Sequence, residues 1–281
     1  MRRIFLSLTS VAALALAGCN HSSDGSQQQA AGGGDTGSAN TVSGTVALRD
    51  TSKTLSPAAK LDIVIVDVTA QNGTPLASKT IQPVTLPAQF KLDVNPTDVN
   101  PNDIYIVEAT ITDGERTYTM PLKAPVLTKG GKNTADIQLV GVATAGEKEL
   151  AGFNGVKKNI GGMKVTQGTE LKEGASRGWQ IFKQGNEVQF IRELVDYGDK
   201  GFTSTDYAYK NGKAWVIVQE KKPSKDGKPT SIERAGWNDA GDLVLKDNQA
   251  GSKTDVLSDA AANELRKQAE GIYAKVGGGK K

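Results

Sequence analysis

Alternation of apolar and polar residues with a period of two recurs from Thr41 onward, and it restricts the fold more than any other feature. In "KLDIVIVDVT" it sets Leu61, Ile63 and Ile65 on one face and Val64, Val66 and Val68 on the other. "TVSGTVAL", "SKTIQPVTL", "QFKLDV", "DIYIVEATITD", "RTYTM" and "TADIQLV" repeat the plan in 41–140. The turn signals "QNGTP", "NPTDVNPND", "DGE" and "KGGKN" separate them. Seven short strands in about 100 residues predict an antiparallel β-sandwich over 41–141. Asp113-Gly114 predicts a tight hairpin turn. Pro96 and Pro101 keep "NPTDVNPND" out of any ladder and make it a surface crossover.

The second half repeats within itself. "FKQGNEVQF" at Phe182, "YKNGKAWVI" at Tyr209 and "WNDAGDLVL" at Trp237 share an aromatic, a glycine turn and an alternating apolar strand, 27 and 28 residues apart. Each unit reads as a β-hairpin, and three in series predict an antiparallel β-meander over 178–276. "LSDAAANELRKQAEGIYAKV" follows with a different period. Ser258 is a fit N-cap, and Ala261, Leu265, Ala269, Ile272 and Val276 form one stripe. This C-terminal α-helix is expected to cover the meander and to end at Gly277, with 277–281 a loose tail. Residues 142–177 read as a linker and the start of this second domain. The fold class is mainly β.

The chain starts differently. Arg2 and Arg3 precede a short apolar run, Ile4 to Leu16, which ends in the small residues Ala17 and Gly18. Charged start, short apolar core and small residues at the cut are the layout of a secretory signal over 1–18. The run is shorter than the roughly 20 apolar residues that span a bilayer core. Leu16-Ala17-Gly18-Cys19 looks like a bacterial lipobox. This implies a diacylglyceryl thioether on the Cys19 sulfur, cleavage between Gly18 and Cys19, and acylation of the new amino group. Each buried methylene contributes about 0.8 kcal/mol, and durable anchoring takes more than one chain. Cys19 is the only cysteine, so it reads as an anchor and cannot be half of an internal disulfide. Asn20 in place of an aspartate favours sorting to the outer membrane. The tract 20–40, rich in Ser, Gly, Gln and Ala, has little to bury and reads as a tether with ends on the order of 25 Å apart.

Within 41–140, "VSGTVALRD", "LSPAAKLDIVIVDVT" and "LPAQFKLDVNPTDVNPNDIYIVEATITDGERTYT" resemble the YscW/YbaY family of bacterial lipoproteins. The shared order is a Val-x-Gly start, Leu-x-Pro before an alternating strand, and Leu-Pro before Phe90 and Leu92. Asn-Pro, a second proline and a tyrosine-bearing strand ending in Asp-Gly complete it. The resemblance implies an outer-membrane lipoprotein with a β-sandwich, and the expected location is lipid-anchored at the outer membrane, facing the periplasm. In one branch it implies a chaperone, or pilotin, for a secretin of type III secretion. It supplies no catalytic motif, and the second half lies outside it.

Composition narrows the chemistry. The chain carries 34 Lys and Arg against 31 Asp and Glu, and loss of Arg2 and Arg3 with the leader lowers the net charge from +3 to +1. That balance gives no basic face for nucleic acid. The sole histidine, His21, lies in the tether, so Ser-His-Asp and Cys-His catalysis and the usual zinc sites have no folded ligand set. Asp196 and Asp199 in "DYGD" fall short of the clustered oxygen ligands a cation needs. No cofactor beyond the lipid on Cys19 is expected.

The expectation is a non-catalytic binding or chaperone lipoprotein, held to membrane lipid through Cys19 and engaging a secretin-like envelope protein. The alternatives are an inhibitor of a foreign enzyme or a surface-interaction lipoprotein, and a glycan hydrolase using two carboxylates. Trp179, Trp215, Trp237 and Tyr209 read first as core. Were they exposed, they would be candidate partner-binding residues.

Overall fold

A computed structural model describes residues 41–70, 73–128 and 131–277. The signal segment with the Gly18–Cys19 cut, the lipidation site, the tether and residues 278–281 lie outside the described residues. The described residues all fall in one unit.

The alternating segments of the first half pair as β1 (Thr41–Leu48), β2 (Lys60–Asp67), β3 (Pro75–Ile81), β4 (Ala88–Asp93), β5 (Tyr105–Asp113), β6 (Arg116–Thr119), β7 (Ala124–Val126) and β8 (Thr134–Gly141). Hydrogen bonding follows the path β3-β2-β5-β6-β8-β1-β4, with β7 on β5. The two ends of the path, β3 and β4, touch, so the sheet wraps its own apolar face. Leu61, Ile63 and Ile65 meet Phe90, Leu92, Val107, Ile111, Ile137 and Leu139 inside.

This is the mainly-β sandwich expected, with two additions. β1 and β8 pair in parallel, where Gly44 lies against Ala135: a Cβ at Gly44 would sit 1.9 Å from the Ala135 carbonyl oxygen. Alternation shows which residues share a face but not which strand lies alongside, so the parallel pair leaves no trace in the pattern. The eighth strand, β7, spans only three residues around Pro125, too few for a period to register. β3 begins at Pro75 and ends at Ile81, short of the segment expected. Pro83 has no N–H to continue a ladder.

Two loops have identifiable causes. In the β5–β6 hairpin the positive φ falls on Gly114 alone, at 60°, while Asp113 stays in the ladder opposite Arg116. The crossover after β4 forms one 3-10 turn, Pro96–Asp98, capped by the Asn95 side chain. The buried Tyr105 hydroxyl accepts from the Asn100 N–H at 2.8 Å and ties the loop to the core.

The second half is a single antiparallel meander in sequence order. Its strands are β9 (Lys164–Lys172), β10 (Ala175–Gln184), β11 (Glu187–Asp196), β12 (Phe202–Lys210), β13 (Lys213–Lys222), β14 (Ser231–Trp237), β15 (Leu243–Ala250) and β16 (Lys253–Val256). The three repeat units are the β10–β11, β12–β13 and β14–β15 hairpins, with β9 and β16 added at the edges. Gly185, Asn211, Gly212 and Gly241 carry the positive φ angles of their turns.

Both faces of this sheet are covered. α2 (Asp259–Ile272), capped by Ser258 Oγ accepting from the Ala261 N–H at 3.2 Å, lays Leu265, Ala269 and Ile272 on Ile191, Tyr207, Tyr209 and Ile217. A further helical turn, Tyr273–Gly277, continues it. The other face is covered by α1 (Ala145–Asn159), which lies where the sequence reads as a linker. Phe153 of α1 packs among Phe182, Phe190 and Trp215. Its glycines hide the helix from a propensity reading but allow close approach. A Cβ at Gly146 would lie 2.4 Å from the Val244 carbonyl oxygen, and one at Gly152 would lie 3.0 Å from the Trp215 ring.

The passage from β8 to α1 is short and tied down. The Val142 N–H donates to the Thr117 carbonyl at 2.8 Å. Thr144 and Glu147 form a capping box, and Arg116 of β6 donates to Glu147. Burial raises the Glu147 carboxyl, but the Arg116 and Thr144 hydrogen bonds outweigh it and hold the carboxyl below its usual range. A group whose folded pKa is depressed contributes stability above its unfolded value and loses it as pH falls through the folded one. Glu147→Gln keeps the capping geometry and removes the charge. It should lower the urea midpoint at pH 7, with the gap from wild type closing as the pH drops below the ordinary 4.5.

Candidate functional site

Two carboxylates are buried on opposite faces of the second sheet. Asp206 of β12 faces α1 and accepts a two-pronged contact from Arg192, at 2.8 and 3.2 Å. Lys157 of α1 reaches the same carboxylate at 2.8 Å. The Asp206 hydrogen bond is the largest influence on Arg192 and holds its guanidinium above its usual pKa. This cluster fastens α1 to the sheet.

Glu193 of β11 faces α2. Alternation would put an apolar residue here, because Ile191 shares the face and is fully buried. Instead one carboxylate oxygen accepts from Arg177 Nε, and the other accepts from the Tyr207 hydroxyl at 2.6 Å. Burial, then the Glu193 charge, pushes the Tyr207 phenol far above its ordinary pKa, so Tyr207 stays a donor. Burial acts to lower Arg177, but the Glu193 hydrogen bond and charge leave it raised. The arrangement is a fixed ion pair with a phenol behind it.

The polar run continues sideways. Gln219 of β13 donates to Thr205 Oγ1 at 3.0 Å and to Gln268 Oε1 of α2 at 3.1 Å. Together with Lys172, Thr203, Lys221 and the ring of Tyr197, these groups line a groove of about 550 Å³ beside α2. A groove of this size falls in the range for small ligands. α2 packs on the apolar part of the face and reaches the edge of the polar part through Gln268, with Glu193, Thr205 and Gln219 buried in the groove lining.

The residues singled out from sequence sit elsewhere. Tyr209, Trp215 and Trp237 are buried, so they form no exposed patch. The Tyr209 hydroxyl donates to the Ala269 carbonyl at 2.9 Å, which pins α2. Trp179 is half-buried over Gly168, and Lys275 lies 4.9 Å from its ring centre. Trp237 and Trp215 are likewise covered by Arg266 and Lys210, each 4.5 Å from the ring centre. Inward alternation explains all of this: their strands turn the aromatics toward the helices, and long cations close the remaining ring faces. Cys19 and Gly18 lie outside the described residues.

Arg177, Glu193, Tyr207 and Gln219 went unnoticed in the sequence. The available signal was a polar residue at an inward phase of a strand, as at Glu193 between Ile191 and Val195. Glu193 is the only carboxylate among the described groove residues, whereas glycoside hydrolysis uses two. Asp196 Oδ1 accepts from the Gly198 N–H at 2.9 Å and shapes a turn. Among the described residues no three His, Cys, Asp or Glu side chains cluster as metal ligands, and no helix is long and apolar enough to cross a membrane.

Residues 38–139 match the family model of the type III secretion system lipoprotein chaperone (YscW). The match takes in β1 to β7 and nearly all of β8 and stops before α1, so the meander and its groove lie outside it. Among solved structures, an alternative pilotin from the type II secretion system of Vibrio cholerae is similar at 20% identity. That similarity covers 37% of this chain and 96% of the pilotin, with a TM-score of 0.34. No curated protein matches the chain.

The Glu193 cluster makes a direct prediction. Tyr207→Phe removes a donor from a buried carboxylate and should cost about 2 kcal/mol, read from urea unfolding. A loss below about 0.5 kcal/mol, the range of a surface change, would mean the hydroxyl does not support Glu193.

Proposed function

We propose that this protein is a lipid-anchored envelope chaperone of the pilotin kind, acting by binding and without catalysis. The observation that carries the reading is the match of the first sheet to the secretion lipoprotein chaperone model. The lipobox-like Leu16-Ala17-Gly18-Cys19 supports it independently, because a chaperone that escorts an outer-membrane protein needs an address in that membrane. In this reading Gly18 and Cys19 are parted on export. Cys19 carries the diacylglyceryl and N-acyl chains, and the protein faces the periplasm from the outer membrane.

The partner is a secretin-like envelope protein. The tether of residues 20–40 gives the folded part reach on the order of 25 Å from the lipid surface. The short passage from β8 to α1, tied by the Val142–Thr117 and Arg116–Glu147 hydrogen bonds, supports a chaperone whose second sheet travels with the first.

Two measurements test the proposal. Cys19→Ser should release the protein from the membrane pellet into the soluble envelope fraction; a variant that still pelleted would contradict the anchor. Detergent-solubilised envelopes should yield a specific outer-membrane protein with the wild-type chain, and a deletion strain should assemble less of it. Recovery of nothing specific, with unaltered secretin assembly in the deletion strain, would remove the chaperone role.

A further inference from the structure

The groove beside α2 has a use that fastening a helix does not require. Glu193 binds Arg177 through Nε, Arg177 Nη1 lies 4.0 Å from Glu170 Oε2, and Arg177 lines the groove. A buried carboxylate that fixes an arginine in this way orients a planar donor pair, the geometry that suits a carboxylate. Both Glu193 oxygens are already engaged by Arg177 and Tyr207.

The neighbouring amides are half-used. Gln219 spends its NH₂ on Thr205 and Gln268, and Gln268 spends its carbonyl on Gln219. Among the described residues, the Gln219 carbonyl and the Gln268 NH₂ make no hydrogen bond. An acceptor and a donor side by side match hydroxyl groups, which both give and accept. Tyr197 is exposed and lines the same groove.

Charge selects further. Lys221 is held by Glu233 at 2.5 Å, Lys172 lies 3.8 Å from Glu170, and Lys275 is also bound to Glu170. Lys172, Arg177, Lys221 and Glu193 line the groove, and with Glu170, Glu233 and Lys275, which join the same ion pairs from outside its lining, four cations meet three carboxylates. One positive charge is left over, which suits a single carboxylate better than a phosphate dianion.

We propose that this groove binds a small hydroxylated carboxylate of the sugar-acid class, its carboxylate on Arg177 and its hydroxyls on Gln219 and Gln268. The ligand is a free acid or the acidic residue of a glycan; the recognising chemistry is the same. The proposal stands apart from the secretion role, which the envelope co-purification tests separately.

The probe is D-glucuronate, titrated into the purified soluble chain beginning at Asn20, with side-chain amide signals followed by NMR. Saturable shifts of the Gln219 and Gln268 NH₂ signals are expected, with glucose and acetate each binding at least about tenfold more weakly. Arg177→Lys keeps a cation on Glu193 but removes the fork, and should weaken glucuronate about tenfold. Gln268→Ala alters an exposed side chain, leaves folding intact, and should also weaken binding. A glucuronate-containing oligosaccharide that bound more tightly than the monosaccharide would identify a glycan source, and equal affinity a free acid. The proposal fails if no saturation appears by about 20 mM, if glucose binds as well as glucuronate, or if neither substitution changes the affinity.

Discussion

The second sheet depends on how it accommodates charge in its middle. Asp206 and Glu193 are desolvated on opposite faces, and each would be costly alone. Each is matched by an arginine on the adjacent strand, Arg192 for Asp206 and Arg177, from β10, for Glu193. The two clusters then diverge. On one face Lys157 brings α1 onto Asp206, so the charge becomes a fastening point under a helix. On the other, Tyr207 completes Glu193 from the core side, and α2 lies beside the polar ground without closing it. A groove results because a helix gains most by covering apolar residues, so α2 meets the polar ground only at its edge, through Gln268 on Gln219.

The rest of the architecture follows from surfaces that need cover. A meander of eight strands has two faces, and its alternation places apolar residues on both. One helix cannot serve two faces. α1 and α2 sit at the two ends of the strand order in sequence, so each can fold over a different side. The first sheet meets the same demand by wrapping until β3 and β4 touch. Arg116 and Glu147 then join one solution to the other.

Much of this was legible in the residues. Period-two runs located most of the strands, the repeated aromatic and glycine signature located three hairpins, and Ser258 with the stripe from Ala261 to Val276 located α2. What stayed hidden has physical reasons. α1 is glycine-rich because it approaches Val244 and Trp215 closely, and glycine is what a propensity reading counts against a helix. The parallel partnership of β1 and β8 is a long-range choice that alternation does not encode. The groove escaped because its residues lie on five strands and one helix, spread from Lys172 to Gln268. The aromatics were conspicuous in the sequence and ended up inside, while the working polar groups were ordinary side chains at inward positions.

The Arg177–Glu193 contact sets the lining of the groove and the charge inside the sheet. The most direct measurement is the Nε–H resonance of Arg177 by nitrogen-15 NMR. A guanidinium held by a buried carboxylate should give a distinct Nε–H signal that exchanges slowly with water. That signal should broaden into the solvent-exchanging pool in Glu193→Gln. An Arg177 Nε–H that exchanges as fast as those of exposed arginines in the wild-type protein would contradict the arrangement.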